Sequence, residues 1–279
     1  MKVTLWGTRG TLPAMGPETA RYGGNTASVE VRGSDGTLLV LDAGTGIRRL
    51  GMSLEPGLRR VDILLSHLHL DHVQGLGVFG PLFQPETEVY IWGPPSLTSD
   101  LRSRLSRYLS PPLFPVRIRD LPCQIVLNDA PRTFSVGEFE VESALVLHPG
   151  LTLGYRIREG RACMAYMPDH EPALGMRQFP GEPEWTSGYD IAAGVDLLIH
   201  DSQYTDAEYG ERVGWGHSSL PQAVALARSA GARRLVMFHH DPSHGDALLD
   251  SMAGEAREAA PDGPEIDVGR EGATYDLPA

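Results

Sequence analysis

A run of three histidines and one aspartate stands directly behind an apolar, strand-like segment. The segment spans 61–65, and the sequence Ser-His-Leu-His-Leu-Asp-His follows it at 66–72. Alternate side chains of an extended chain point to the same side, so we expect His67 and His69 to face one way. A lone histidine is usually a surface or core residue, but packing does not require four such groups on one loop. Imidazole and carboxylate groups are ligands of borderline divalent metals, and the run therefore predicts a metal site.

Length and composition predict one soluble globular domain. The chain has 279 residues, 41% of them hydrophobic, and no boundary divides it, so we expect residues 1–279 to form a single domain. No apolar run is long enough to span a membrane and no secretory signal is evident, which favours a cytoplasmic protein with no membrane partner. The net charge of −12 argues against a general nucleic-acid binder, because clustered Lys and Arg bind phosphate backbones. Cys123 and Cys163 are isolated and predict no disulfide framework.

Short apolar segments bounded by Gly, Pro and Asn predict strands in two groups. In the first half, strands are expected at 2–6, 26–31, 37–42, 61–65 and 89–92, and hairpins at 134–147 and 152–167. In the second half, strands are expected at 195–199, 234–238, 266–268 and 273–277. Helices are expected at 97–109, 220–230 and 246–259, and a long loop at 171–190. This order indicates an α/β fold in which two sheets pack together with helices outside.

Further metal-ligating side chains end other predicted strands. They are His148, Asp169 with His170, His200 with Asp201, and His239 with His240. Taken singly, each has an ordinary explanation as a capping or solvated residue. Taken with the run at 66–72, they predict one shared site at an edge of the sheets.

These motifs resemble the metallo-β-lactamase superfamily, and most of all its phosphodiesterase branch, which includes ribonuclease Z and related cyclic-nucleotide phosphodiesterases. The resemblance covers nearly the whole chain. It rests on the run at 66–72, on His148, on Tyr-Met-Pro-Asp-His-Glu at 166–171 and on Phe-His-His at 238–240. Asp-Ala-Gly-Thr-Gly at 42–46 also matches. The resemblance implies a four-layer αβ/βα sandwich of two mixed β-sheets with helices on the outside.

The resemblance also implies a binuclear metal centre. One ion would be held by His67, His69 and His148, a second by Asp71, His72 and His239, and Asp169 would bridge them. His240 is the alternative last ligand, and we expect His239 because the family's ligand stands immediately at the strand end. Two Zn²⁺ ions are the expected cofactors, although manganese, iron or cobalt also suits nitrogen and oxygen ligands.

Two further positions resemble the ribonuclease Z branch. There, a strand ends in a His-Glu pair whose glutamate orients a later histidine as proton donor to the leaving group. Here the pair is His200-Asp201, and Gly-His-Ser-Ser at 216–219 corresponds to the later loop. The candidate catalytic residues are therefore Asp71, Asp201 and His217. The ions would lower the pKa of a water, the resulting hydroxide would attack phosphorus, and His217 would protonate the leaving alkoxide.

The chain departs from ribonuclease Z in one respect. That enzyme carries a transfer-RNA-gripping arm between the motifs that correspond to His148 and Asp169, and here the interval is 169 minus 148, or 21 positions. We therefore predict a small phosphodiester substrate such as a cyclic nucleotide, and no long nucleic acid as partner. The alternatives are an RNA-processing nuclease, a hydrolase of carbon esters, thioesters or lactams, and a metal-binding module without activity. Dimers are common in the family, so a homodimer is compatible with the resemblance.

Other side chains near these motifs are candidates for substrate contact. Aromatic rings that could stack on a base, or simply pack, are Tyr204, Tyr209 and Trp215 near His217, and Trp185 and Tyr189 on the long loop. Arg9 and the arginines of 102–107 could contact phosphate or belong to solvated surfaces.

Overall fold

Two seven-stranded sheets form the centre of the computed structural model, which describes residues 1–173, 176, 179 and 182–278. In spatial order, the first sheet contains β14 (Thr274–Asp276), β1 (Lys2–Gly7), β2 (Ser28–Arg32), β3 (Leu38–Leu41), β4 (Arg60–Leu64), β5 (Glu88–Gly93) and β6 (Gln124–Asp129). The second contains β13 (Glu265–Val268), β12 (Arg234–Phe238), β11 (Leu197–Asp201), β10 (Ala162–Met167), β9 (Thr152–Glu159), β8 (Phe139–Val146) and β7 (Thr133–Val136).

Both sheets are mixed. In the first, β3 to β6 run parallel, and β14, β1, β2 and β3 pair antiparallel. In the second, β10 to β13 run parallel and β7 to β10 pair antiparallel. The last strand, β14, comes after all strands of the second sheet in sequence, but it pairs with β1 in the first sheet. The carboxyl ends of parallel strands share one edge, where binding sites of open α/β sheets lie.

Most of the helices in the described ranges pack on the outer faces of the two sheets. The helices are α1 (Ile47–Ser53), α2 (Leu70–Val73), α3 (Leu101–Leu105), α4 (Tyr189–Ala192), α5 (Asp206–Arg212), α6 (Leu220–Ser229) and α7 (Asp246–Ala259). Short 3₁₀ helices occur at Pro17–Thr19, Leu76–Val78, Gly80–Phe83, Ile118–Asp120 and Pro183–Trp185.

Three apolar layers hold this arrangement together. The central layer joins both sheets, with Val29 and Leu41 from the first packed in one cluster with Tyr155 and Phe238 from the second. One outer cluster includes residues of α1, and the other includes residues of α6 and α7. The predicted α/β sandwich of two mixed sheets with outer helices is confirmed. That residues 1–279 form a single domain stays a prediction.

Some element bounds differ from those predicted. The helix predicted at 97–109 is shorter, because Asp100 caps its start by accepting from the Ser103 backbone N–H at 2.7 Å and the helix ends at Leu105. The strand predicted at 195–199 is β11, two residues later, which places His200 and Asp201 inside the strand. The strand β6 was not predicted. The loop predicted at 171–190 lies partly outside the described residues, and its described part contains the start of α4.

None of the helices in the described ranges is long and apolar enough to cross a membrane. Cys123 and Cys163 are both free and buried.

Candidate metal centre

The structure brings together the seven side chains that the resemblance implied as metal ligands, whereas His170 and His200 lie outside the ligand groups and hydrogen-bond to each other at 2.8 Å. The seven side chains follow four strands: β4 (His67, His69, Asp71 and His72), β8 (His148), β10 (Asp169) and β12 (His239). Asp71 and His72 lie in α2, which begins immediately after His69 and turns both side chains back towards the strand ends. The site is therefore built at the junction of both sheets.

Two groups of side chains correspond to the two ligand sets. The ligand atoms within each group lie within 4.8 Å of one another; the groups are His67, His69, His148 and Asp169, and Asp71, His72 and His239. Asp169 faces both groups, because its Oδ2 lies 3.6 Å from His67 Nε2 and its Oδ1 lies 3.2 Å from His239 Nε2. This is the placement that a bridging carboxylate needs.

The chemistry of these groups fits divalent metal ions. Among the described residues, the buried Nε2 atom of His67 has no hydrogen-bond partner. Leaving such an atom unpaired costs about 1–3 kcal/mol, which a metal ligand bond would offset. Burial lowers the pKa values of His67 and His148, and so favours the neutral imidazole that binds metal. His69 is exposed, so the first group is open to solvent.

Asp42 orients His72 from the end of β3. Its buried Oδ2 accepts from His72 Nδ1 at 2.8 Å, from Ser66 Oγ at 2.7 Å and from the Tyr166 hydroxyl at 2.9 Å. The φ of Asp42 is 58°, a left-handed conformation that few non-glycine residues adopt. The carboxylate thereby fixes the tautomer of His72 and leaves Nε2 for a metal. Sequence reasoning matched the 42–46 motif but did not assign this role.

Two other imidazoles are oriented in the same way. His148 Nδ1 donates to the backbone oxygen of Gly216 at 2.8 Å. His239 Nδ1 donates to Gln203 Oε1 at 3.0 Å. Both contacts leave Nε2 directed at the ligand groups. No spacing or motif in the sequence signalled Gln203.

His239, rather than His240, faces the ligand groups. The Nε2 atom of His239 lies 3.2 Å from Asp71 Oδ2. His240 turns away, and its Nε2 donates to the backbone oxygen of Gly269 at 2.9 Å. Burial lowers the pKa of His240 to about 3, so that it is a neutral interior residue.

His217 and Asp201 form a pair beside the second ligand group. His217 Nδ1 donates to Asp201 Oδ2 at 2.7 Å, and its ring stacks on that of His239 with centroids 5.0 Å apart. Burial opposes the charged form, but the Asp201 carboxylate outweighs it and raises the pKa of His217 to about 9. Although aspartate is one methylene shorter than glutamate, it reaches the imidazole directly.

Two of the suggested base-stacking rings are unavailable. Tyr204 and Tyr209 are only 3% and 1% exposed, so of the two interpretations of these rings, packing is confirmed and stacking on a base is wrong. Trp215 and Trp185 are 61% and 65% exposed, and Tyr189 is half-buried. Trp215 therefore offers a free ring two residues from His217.

Both interpretations of Arg9, as a phosphate contact and as part of a solvated surface, are wrong. It is fully buried. Its guanidinium donates to the backbone oxygens of Gly23, Asp241 and His244 at 2.9, 3.0 and 2.6 Å. It ties the N-terminal loop to the segment that follows His239. The arginines at 102 and 107 are exposed.

A family model described as a beta-lactamase superfamily domain matches residues 37–240. The chain belongs to the metallo-β-lactamase superfamily. The matched stretch contains every side chain of the two ligand groups, from His67 to His239. As a member of this superfamily, the protein is a metal-dependent hydrolase.

Several known proteins are similar to this chain over most of its length. Ribonuclease Z from Gemmatimonas aurantiaca is 28% identical over 84% of this chain and 88% of its own. The metallo-β-lactamase fold protein YhfI from Bacillus subtilis shares the fold with a TM-score of 0.71, at 19% identity over 98% of both chains. Zinc-bound PqqB from Methylobacterium extorquens shares it with a TM-score of 0.70, at 19% identity over 99% of this chain and 100% of its own.

Proposed function

We propose that this metallo-β-lactamase superfamily protein is a binuclear phosphodiesterase. The observation that carries the proposal is the hydrogen bond between His217 and Asp201 beside both ligand groups, which would orient His217 as an acid. Such an acid is needed when the leaving group is an alkoxide, which departs poorly without a proton. The similarity to ribonuclease Z supports the same reaction class.

Seven side chains would hold the two ions. They are His67, His69 and His148 for one, Asp71, His72 and His239 for the other, and Asp169 between them. When bound, two divalent ions supply Lewis-acid activation of a water and neutralise charge on phosphoryl oxygens. We propose zinc, because the donors are nitrogen and oxygen and because PqqB binds zinc on the same fold; manganese also suits these donors.

His217 would donate a proton to the leaving group, and Asp201 would orient its imidazole. Because Nδ1 is bound to Asp201, the proton available for transfer is on Nε2. Asp201 is itself fixed by the backbone N–H groups of Gln203 and Ser218, which donate to its Oδ1 at 3.0 and 3.3 Å. The pair is therefore oriented before substrate binds.

For the substrate, we propose a small phosphodiester such as a cyclic nucleotide. Residues 149–168 consist of β9, β10, the tight turn between them and a short bend on either side, and this interval contains no inserted RNA-binding arm. Leu12, Leu70 and Trp215 are exposed apolar side chains beside Thr11, Asp71 and Gly216 respectively. They would cover the apolar face of one nucleoside.

An RNA-processing nuclease of the ribonuclease Z type is the second candidate. The similarity to ribonuclease Z supports it. A basic segment at 94–121 also favours it: five arginines and two aspartates give this segment a net charge of +3, whereas the whole chain has a net charge of −12. Arg102, Arg117 and Arg119 line a cavity of about 250 Å³ in this segment. A phosphate of a longer chain would bind there.

A substrate panel with zinc or manganese separates these functions. The panel contains bis(4-nitrophenyl) phosphate, cyclic mononucleotides, dinucleotides, short RNAs, a thioester and a lactam. We expect cyclic nucleotides to be cleaved faster than RNA, and Arg102→Ala combined with Arg117→Ala to leave their cleavage unchanged. Cleavage of RNA alone, reduced by the same two substitutions, would establish the second candidate. Turnover of the thioester or lactam without any phosphodiester would reject both.

A further inference from the structure

Glu171 lies next to the ligand groups but belongs to neither of them. Its side chain is 1% exposed. Its Oε1 accepts from the Gly214 backbone N–H at 2.8 Å and from the Tyr209 hydroxyl at 2.7 Å, and its Oε2 accepts from the Gly216 backbone N–H at 2.8 Å. A buried carboxylate is stabilised only when donors of this kind surround it. Three donors converge here on one side chain.

The loop that supplies two of these donors has a conformation that glycine favours. Gly214 and Gly216 have φ values of 86° and 87°, which other residues rarely adopt. A Cβ atom on Gly216 would lie 2.7 Å from His148 Nδ1, closer than packing allows. The 214–217 loop is thus folded around the Glu171 carboxylate and pressed against His148.

The same loop contacts both halves of the proposed chemistry. The Gly216 backbone N–H donates to Glu171 while its backbone oxygen accepts from His148 Nδ1. The next residue, His217, reaches Asp201. The backbone N–H of Glu171 also donates to the backbone oxygen of Leu147 at 2.9 Å, adjacent to His148.

We propose that Glu171 is a positioning residue, which sets His148 and His217 by holding the 214–217 loop. Its effect on His148 concerns metal affinity and stands without any substrate. Its effect on His217 rests on the proposed phosphodiesterase function.

The direct test replaces Glu171 with Gln. The amide keeps the shape but turns a donor towards at least one of the three donors, which loosens the loop. We expect zinc affinity to fall on the order of 10–100-fold, the usual effect of losing an orienting partner of a metal ligand. Tyr209→Phe removes one of the three donors and keeps the ring, so its fall should be smaller and in the same direction.

Glu159→Gln is the matched control. Glu159 is also buried, at 4% exposure, and accepts from the Ser34 backbone N–H at 2.6 Å. It ends β9, seven residues and about 23 Å along the strand from Thr152 near the site. We expect its zinc affinity to equal that of the unmodified protein.

Each protein is stripped of metal and reloaded with zinc, and its zinc affinity is measured by competition with a chromophoric chelator. Thermal unfolding verifies that each variant is folded. Unchanged affinity in folded Glu171→Gln protein, or an equal fall in Glu159→Gln protein, would overturn the proposal. If Glu171→Gln does not fold, unchanged affinity in Tyr209→Phe protein overturns it and a reduced affinity supports it. Failure of the unmodified protein to cleave any phosphodiester would reject the proposed function alone, because this measurement uses no substrate.

Discussion

Asp201 Oδ2 accepts a hydrogen bond from His217 Nδ1 across 2.7 Å, and the carboxylate is fully buried. The bond fixes the imidazole plane, which stacks on the ring of His239. Because Nδ1 is engaged by Asp201, Nε2 is the nitrogen that would protonate a leaving oxygen under the proposed function.

Replacing Asp201 with Asn should slow cleavage of an alkyl phosphodiester about 10²–10⁴-fold, the range for loss of a positioned acid. Cleavage of a 4-nitrophenyl diester should slow much less, because nitrophenolate leaves without a proton. The measurement is kcat/KM for both substrates at equal zinc content. Equal losses for the two leaving groups would remove the proton-donor role from His217.

Replacing Gly10 with Ala should weaken metal binding without unfolding the protein. A Cβ atom there would lie 2.3 Å from His239 Nδ1, so the imidazole must move. Gly254→Ala is the control, since Gly254 lies within α7 with open space around its Cβ position. Gly254→Ala should raise the free energy of unfolding by about 0.5–1 kcal/mol and leave metal binding unchanged. Zinc titration of both variants checks the prediction, which an unaltered affinity in Gly10→Ala protein contradicts.

Removing metal should lower the melting temperature, and adding zinc should restore it. Zinc at 100 times its Kd adds about 2.7 kcal/mol to the free energy of unfolding if it binds only the folded chain. Calorimetry with and without chelator measures the difference. In His69→Ala protein the rise in melting temperature on adding zinc should be smaller, because the first ligand group loses one member. His69 is exposed, so little packing is lost and the metal-free protein should keep its stability. A melting temperature independent of zinc would argue against the metal centre.

Acidification should remove a contribution of Glu208 to stability. Its Oε1 accepts from His244 Nε2 at 2.9 Å, and its Oε2 accepts from the Thr205 backbone N–H at 2.8 Å. Burial opposes the charged form, but these hydrogen bonds hold the pKa of Glu208 below its ordinary value of 4.5. The stabilisation is therefore fully present above pH 4.5 and is lost as the pH falls through the lower, folded-state pKa.

Urea unfolding of the unmodified protein and of Glu208→Gln at several pH values measures this contribution. The difference in free energy of unfolding between them should be largest at neutral pH and should shrink in acid. A difference that stays constant with pH would show that the carboxylate charge is not its source.

The members of the ligand groups were recognisable because each stands just after an apolar strand, and the resemblance implied how they combine. His67, His69, Asp71 and His72 are contiguous, and their shared edge follows from parallel strand ends. The contacts that orient them were not predictable. Asp42 meets His72 across 30 positions and Tyr166 across 124, and nothing in one sequence couples such positions.

The elements that sequence analysis missed have weak patterns for physical reasons. The strand β6 contains three consecutive apolar residues, Ile125 to Leu127, and pairs only with β5 at the edge of its sheet. In the region of α3, the predicted spacing is present, since Leu101, Leu105 and Leu109 are all buried. Beyond Leu105 the chain continues in turns that still bury Leu109, so the periodic spacing of apolar residues predicted too long a helix.

The return of β14 to the first sheet has a consequence for fragments of this protein. A break in the 130–132 link would divide each ligand group, with His67 to His72 on one piece and His148 to His239 on the other. The second piece would still carry β14, which belongs beside β1 of the first. Reassociation of the two pieces would include pairing of β14 with β1, and only the reassociated pair would contain both complete ligand groups, so that zinc binding would report reassembly.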